Sequence, residues 1–259
     1  MIKALFFDID GTLVSFKTHK IPQSTIEAIS MAKSRGTKIF ISTGRPYSLI
    51  NNIAEIRHLV DGYITTNGAF CFIGNHIISC NPIPREDVAT VIRLSDEMNF
   101  ACMVVGEKDL AMYHKNKRSE EIMKLLNVHG LKDSTPIEPI LQQRILQLTP
   151  IITEVEEQQI MQQLHGCISS RWCPDFADIT AYNADKGQGL LSIIGNLGIA
   201  TDETMAFGDG GNDIPIIKIA GAGIAMGNAN NSLKAVADYV TTTVDENGIF
   251  NALKHYGII

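Results

Sequence analysis

The reading of this chain turns on Phe6-Phe7-Asp8-Ile9-Asp10-Gly11-Thr12. A short apolar run, Lys3 to Ile9, reads as a strand that delivers two carboxylates at its C-terminal end. In open α/β sheets, ligands bind at that edge. At about 3.3 Å per residue, positions i and i+2 lie roughly 6.6 Å apart and can face one space. Two carboxylates held there repel each other, so a cation is expected, and oxygen ligands of this kind suit Mg²⁺. An aspartate in such a place can act as a nucleophile and form an aspartyl-phosphate. The second, Asp10, could protonate a leaving oxygen and later deprotonate the hydrolytic water. Gly11 lets the chain turn sharply behind the pair. The purely structural alternative is a strand-end Asx turn.

Outward from this stretch, the first third alternates strand and helix signals. Ser24 to Arg35 reads as a helix opened by a Ser24/Glu27 capping box and stopped by Gly36. Lys38 to Ser42 is a buried strand, and Pro46 can open a second helix. Gly62 to Thr66 is a third strand, Asn67-Gly68 a turn, and two short strand-like runs follow up to Cys80. This order argues for a parallel, doubly wound sheet. The middle third mixes helix patterns (Arg85 to Met98, a weaker Ser119 to Leu126, an acidic Thr153 to Leu164) with several strands and no strict alternation. The last third alternates again: helix Lys186 to Leu197, strand Thr204 to Phe207, helix Asn212 to Ile219, strand Ala222 to Ala225, then helices Asn231 to Ala237 and Ile249 to His255. The expected fold is α/β, a doubly wound parallel-sheet (Rossmann-like) core of residues 1–82 and 183–259, with an α+β module of residues 83–182 inserted into it.

Three further segments sit at expected strand ends. Ser42-Thr43-Gly44-Arg45-Pro46 offers a hydroxyl and backbone N–H groups that can cradle a phosphate, or an ordinary N-cap. Gly208-Asp209-Gly210-Gly211-Asn212-Asp213 brings another hard oxygen ligand, Asp209, within glycines that permit close backbone approach. Asn212 could donate to a phosphate, and Asp213 could hold a lysine or an outer water. Lys186 opens a helix, the end where a cation is electrostatically disfavoured, so either an anion lies nearby or the side chain is simply solvated.

Composition narrows the function. The net charge of -6 argues against a binder of nucleic-acid backbones. No run approaches the length of a membrane span, and Asp8 and Asp10 interrupt the apolar N-terminus too early for a signal peptide. Five cysteines without CxxC spacing fit a reducing cytoplasm better than a disulfide framework or zinc ribbon.

In their order and spacing, the DxDGT, STGR, DKG and GDGGND segments resemble the haloacid dehalogenase superfamily, specifically the Cof-type phosphatases with an inserted α+β cap and, among them, the sugar-phosphate (hexose-phosphate) phosphatases. The resemblance covers essentially the whole chain. It implies Asp8 as nucleophile and Asp10 as acid/base. It implies Mg²⁺ on the Asp8 side chain, the Asp10 backbone carbonyl and Asp209, and phosphoryl oxygens held by Thr43, the Gly44 amide, Lys186 and Asn212. The expected partner is a small phosphorylated metabolite, with no nucleic acid or membrane; a monomer is compatible. Two alternatives stand beside hydrolysis: a sugar phosphomutase on the same scaffold, and a non-catalytic phosphosugar sensor. In the cap, Arg171, Asp178 and Thr180, with Arg45 of the core, are weaker candidates for a sugar hydroxyl or a hinge contact. Trp172 could stack on a sugar or pack between cap and core.

Overall fold

The computed structural model describes residues 1–125 and 136–259. Leu126, where the weaker middle helix was expected to end, and the start of the loop behind it lie outside the described residues. In chain order the elements are β1 (Ala4–Phe7), α1 (Gln23–Ser34), β2 (Lys38–Ser42), β3 (Gly62–Thr65), β4 (Phe70–Ile73), β5 (His76–Cys80), α2 (Arg85–Met98), β6 (Cys102–Gly106), β7 (Leu110–Tyr113), α3 (Lys117–Leu125), α4 (Glu138–Leu141), β8 (Ile145–Pro150), α5 (Glu154–Met161), β9 (Cys167–Cys173), β10 (Phe176–Ala181), α6 (Lys186–Leu197), β11 (Thr204–Gly208), α7 (Ile214–Ile219), β12 (Ala222–Ala225), α8 (Asn231–Lys234), β13 (Tyr239–Val240) and α9 (Gly248–His255). The chain separates into two compact units, Met1–Ser79 with Asp185–Ile259, and Cys80–Ala184.

The first unit holds one sheet in the order β13-β12-β11-β1-β2-β3-β4-β5, parallel from β13 to β3 and antiparallel at β3/β4. Successive strand residues point to opposite faces, so a strand covered on both sides must be apolar throughout. β1 shows this directly. Leu5 and Phe7 join Ile39, Ile41, Met205 and Phe207 beneath α1 and α9. Ala4 and Phe6 join Phe40 and Ala206 beneath α6 and α7. Phe6 stacks on Phe40 at 4.9 Å and Phe7 on Phe207 at 4.8 Å. Burying each such ring is worth about 1.5–3 kcal/mol. Phe7 lies opposite both Phe207 and Ile41, so β2 and β11 each run one residue past the end of β1. The sheet grows from β1 through β2 and β3 on one side and from β11 through β13 on the other. That reversal of strand order creates the crevice where ligands of doubly wound sheets bind.

Several local expectations are corrected. α1 starts at Gln23 behind Pro22 and has no capping box; the Ser24 hydroxyl donates to Asn247 Oδ1 (2.7 Å) instead. No α-helix follows Pro46: the segment makes two 3-10 turns, Tyr47–Leu49 and Arg57–Leu59. The carbonyls of Leu49 and Ile50 accept from the Arg45 and Arg57 guanidiniums (3.3 and 2.6 Å), while Ile50, Ile53 and Ile56 turn into the core. Side-chain donors thus replace the i→i−4 ladder. The helix expected from Asn212 begins as a 3-10 turn, Gly211–Asp213, and becomes α-helical at Ile214. α8 ends at Lys234 rather than Ala237, and the two-residue β13 was too short to leave a pattern.

The second unit carries an antiparallel sheet in the order β7-β6-β8-β10-β9. Val88, Val91 and Leu94 of α2 and Ile160 of α5 pack with Val104, Leu148 and Ile179. This is the α+β character read from its mixed pattern.

Candidate active site

Asp8 is fixed by the end of β1. Its N–H donates to the Phe207 carbonyl (3.1 Å), and the residue is 7 % exposed. The chain then folds back: Leu13 and Val14 donate to the Ile9 carbonyl (3.0 and 2.8 Å), and Gly11 donates to that of Val14 (2.9 Å). Gly11 has φ +87°, and a Cβ there would overlap the Asp209 carboxylate. Two constraints therefore demand glycine, the left-handed backbone and the approach of a second acid.

Asp209 arrives from β11. Its carboxylate accepts from Thr12 Oγ1 (3.5 Å) and Asn228 Nδ2 (3.4 Å). Asp213 turns back over the same loop, and its Oδ2 accepts the Asp209 and Gly210 amides (3.0 Å each). Its Oδ1 accepts from Lys186 Nζ (2.5 Å), which also donates to Asp8 Oδ1 (2.7 Å). Lys186 is fully buried, so the solvated alternative is excluded. Its place at the helix start, unfavourable towards the macrodipole, is compensated by two carboxylates. Burial works against the ammonium, but the Asp213 and Asp8 charges outweigh it and hold Lys186 above its ordinary range.

Burial pushes the Asp8 carboxyl up to about 7, with Lys186 opposing and Asp213 adding to the rise. Burial and then the Asp8 charge push Asp209 up to about 8. Asp8, Asp209 and Asp213 each offer an oxygen within 4.8 Å of the others. With all three ionised, the carboxylates against one ammonium would carry two uncompensated negative charges, the charge of one divalent cation, and the donors are all hard oxygens. The residues present fit Mg²⁺. Asp213 already accepts three N–H donors. Asp8 and Asp209 are therefore the side chains left for an ion.

Asp10, two residues on, points elsewhere. Arg45 grips it with Nε to Oδ2 (2.6 Å) and Nη2 to Oδ1 (2.8 Å), and Asn52 Nδ2 adds a longer contact (3.4 Å). Such a fork is the strong, directional form of the ion pair. Its carboxylate is absent from the metal cluster.

Thr43, at the end of β2, donates its N–H to the Ile64 carbonyl (2.8 Å), and its hydroxyl accepts from the Arg45 N–H (3.1 Å), with Gly44 between them. Asn212 donates to Asn67 Oδ1 (3.0 Å), and the Asn67 N–H donates to the Thr43 carbonyl (3.1 Å). Asn67 read in the sequence only as half of a turn. The usable signal was its position at the end of β3, the same edge as the other motifs. Of the weaker candidates, Arg45 is drawn into this site. Arg171 is held by Glu157 (2.6 Å) and the Pro174 carbonyl (2.9 Å). Asp178 accepts from Gln147 (2.9 Å) and Thr149 (2.8 Å), and Thr180 donates to the Ala184 carbonyl (3.0 Å). Trp172 lies in β9.

Comparison with known proteins agrees with this geometry. The chain is similar to a solved subclass IIB sugar phosphatase, BT4131, at TM-score 0.94 and 46 % identity over 99 % of this chain and 100 % of that one. It is 31 % identical to YkrA of Bacillus subtilis over 260 residues, 99 % of this chain and 98 % of that protein. It is 28 % identical to the 5-amino-6-(5-phospho-D-ribitylamino)uracil phosphatase YcsE of Bacillus subtilis over 258 residues, 98 % of this chain and 96 % of that protein. Residues 5–253 match the haloacid dehalogenase-like hydrolase family as a whole. With the acidic pair at the end of β1, the lysine at the head of α6 and the acids behind β11 on one sheet edge, the chain belongs to the haloacid dehalogenase-like hydrolases.

Proposed function

We propose that this protein is a Mg²⁺-dependent phosphatase of small phosphorylated metabolites, sugar phosphates foremost, acting through an aspartyl-phosphate on Asp8. The observation that carries this is the Asp8–Lys186–Asp213 chain beside Asp209: a buried carboxylate held in place by an ammonium, in a cluster short of positive charge. Lys186 holds Asp8 through Oδ1, which leaves Oδ2 to attack phosphorus. The P–O bond to the leaving alcohol breaks as that oxygen takes a proton from Asp10. Water then gives a proton to Asp10 and attacks phosphorus, releasing phosphate and restoring the Asp8 carboxylate. Lys186, Thr43, the Gly44 amide and Asn212 hold the phosphoryl oxygens. Asp8, the Asp10 carbonyl and Asp209 would hold Mg²⁺, which supplies positive charge against the phosphoryl group. Asp10 takes up its part once Arg45 releases it, since both its oxygens are engaged in the resting arrangement.

The substrate class is supported by the sugar phosphatase BT4131 and by YcsE, whose named substrate is a uracil that carries a phosphorylated ribitylamino group. We take the Cys80–Ala184 unit as the cap that selects among substrates. Five free thiols, and no helix among the described residues long and apolar enough to cross a membrane, fit a cytoplasmic setting. The test is Asp8→Asn assayed with Mg²⁺ on a panel of sugar phosphates. Turnover should vanish while the circular dichroism spectrum stays unchanged. A rate near that of the unmodified chain removes Asp8 as nucleophile.

A further inference from the structure

Between β3 and β4, Thr66, Asn67 and Gly68 have φ of 48°, 52° and 95°, three successive residues in left-handed backbone. For β-branched Thr66 this is a costly conformation, and strain of this kind persists only where the surroundings enforce it. The surroundings here are the phosphate-holding elements themselves. The Thr66 and Asn67 amides donate to the Arg45 and Thr43 carbonyls (3.1 Å each), which seats the turn on the Thr43–Arg45 loop. Gly68 lies so close to the Asp185 backbone, one residue before Lys186, that a Cβ would overlap it. The Asn67 side chain accepts from Asn212 Nδ2 (3.0 Å). Asn67 is 4 % exposed, and the neighbouring Thr66 hydroxyl is buried with no hydrogen-bond partner among the described residues. The turn thus keeps both strain and an unmet hydroxyl where it touches three separate segments.

We propose that Asn67 is a positioning residue of the phosphate cradle, whose Oδ1 takes one Asn212 N–H so that the other is aimed at a phosphoryl oxygen, while its turn sets the spacing of Thr43, Lys186 and Asn212. This rests on the phosphatase reading above. Asparagine suits the task because it tolerates left-handed backbone and still carries an acceptor. Without that acceptor the Asn212 amide rotates freely, and one misaimed donor at an anion is worth about tenfold.

The experiment is a double-mutant cycle of Asn67→Gly, Asn212→Ala and both together. It measures kcat/KM on a sugar phosphate with Mg²⁺ and, by calorimetry, the Kd for inorganic phosphate. Asn67→Gly keeps the left-handed turn, so its Tm should stay within a few degrees of the unmodified chain. Each single variant should lose about tenfold in both readouts, and the double variant no more than Asn212→Ala alone. Losses that multiply to about a hundredfold, or an Asn67→Gly variant with unchanged phosphate Kd, would overturn the assignment. If the unmodified chain binds phosphate but hydrolyses no sugar phosphate, the function above fails, and the phosphate affinities alone still decide the place of Asn67.

Discussion

Replacing Lys186 by methionine tests the central cluster without touching its acids. The substitution keeps an unbranched side chain but removes the ammonium that lies 2.7 Å from Asp8 and 2.5 Å from Asp213. Both partners are buried, so each would be left as an uncompensated charge. Breaking a buried pair in this way costs about 3–5 kcal/mol. At roughly 2–4 °C per kcal/mol for a unit of this size, Tm should fall by roughly 6–20 °C. The loss should depend on pH. Lys186 opposes the effect of burial on Asp8, so without the ammonium the Asp8 carboxyl, already pushed up to about 7, rises further and folds as a neutral acid at low pH. Stability is then progressively lost as pH rises through the folded-state value of Asp8. The gap between variant and unmodified protein should be small near pH 5 and larger at pH 8, read by scanning calorimetry in chelator. An equal gap at both pH values, or none, refutes the reasoning that Lys186 is there to balance buried carboxylates.

The unmodified protein should show a weaker form of the same behaviour. Asp8 and Asp209 stand at about 7 and 8 when folded, above the ordinary carboxylate range, so metal-free Tm should decline between about pH 5 and 8. Mg²⁺ should raise Tm more at pH 8 than at pH 5, where protons compete with it; a pH-independent Mg²⁺ effect contradicts this. Gly11→Ala forces a Cβ into the Asp209 carboxylate and a side chain into left-handed backbone. It should reduce kcat/KM at least a hundredfold for a stability loss of about 1–3 kcal/mol, as measured by urea titration.

Much of this architecture was legible along the chain. An all-apolar β1 followed by Asp8 and Asp10 names a strand buried on both faces and an acidic sheet edge, because strand periodicity and burial act over a few residues. The same holds for Gly208 to Asp213, where closely spaced glycines already imply close approach to an acid. Local signals failed where distant groups decided. Ser24 looked like half of a capping box until Asn247 took its hydroxyl. The helix after Pro46 gave way to turns because arginine side chains took its carbonyls.

The pairing of charges belongs wholly to the tertiary structure. Lys186 meets Asp8 across 178 positions, and Arg45 meets Asp10 across 35. Sequence supplied the acids, the lysine and the edge on which they stand. Only the folded sheet decided that Lys186 is buried rather than solvated, that Asp10 rests on Arg45, and that Asn67 joins Thr43 to Asn212. The physical reason is that burial and charge compensation are properties of neighbours in space, and the strand order sets those neighbours.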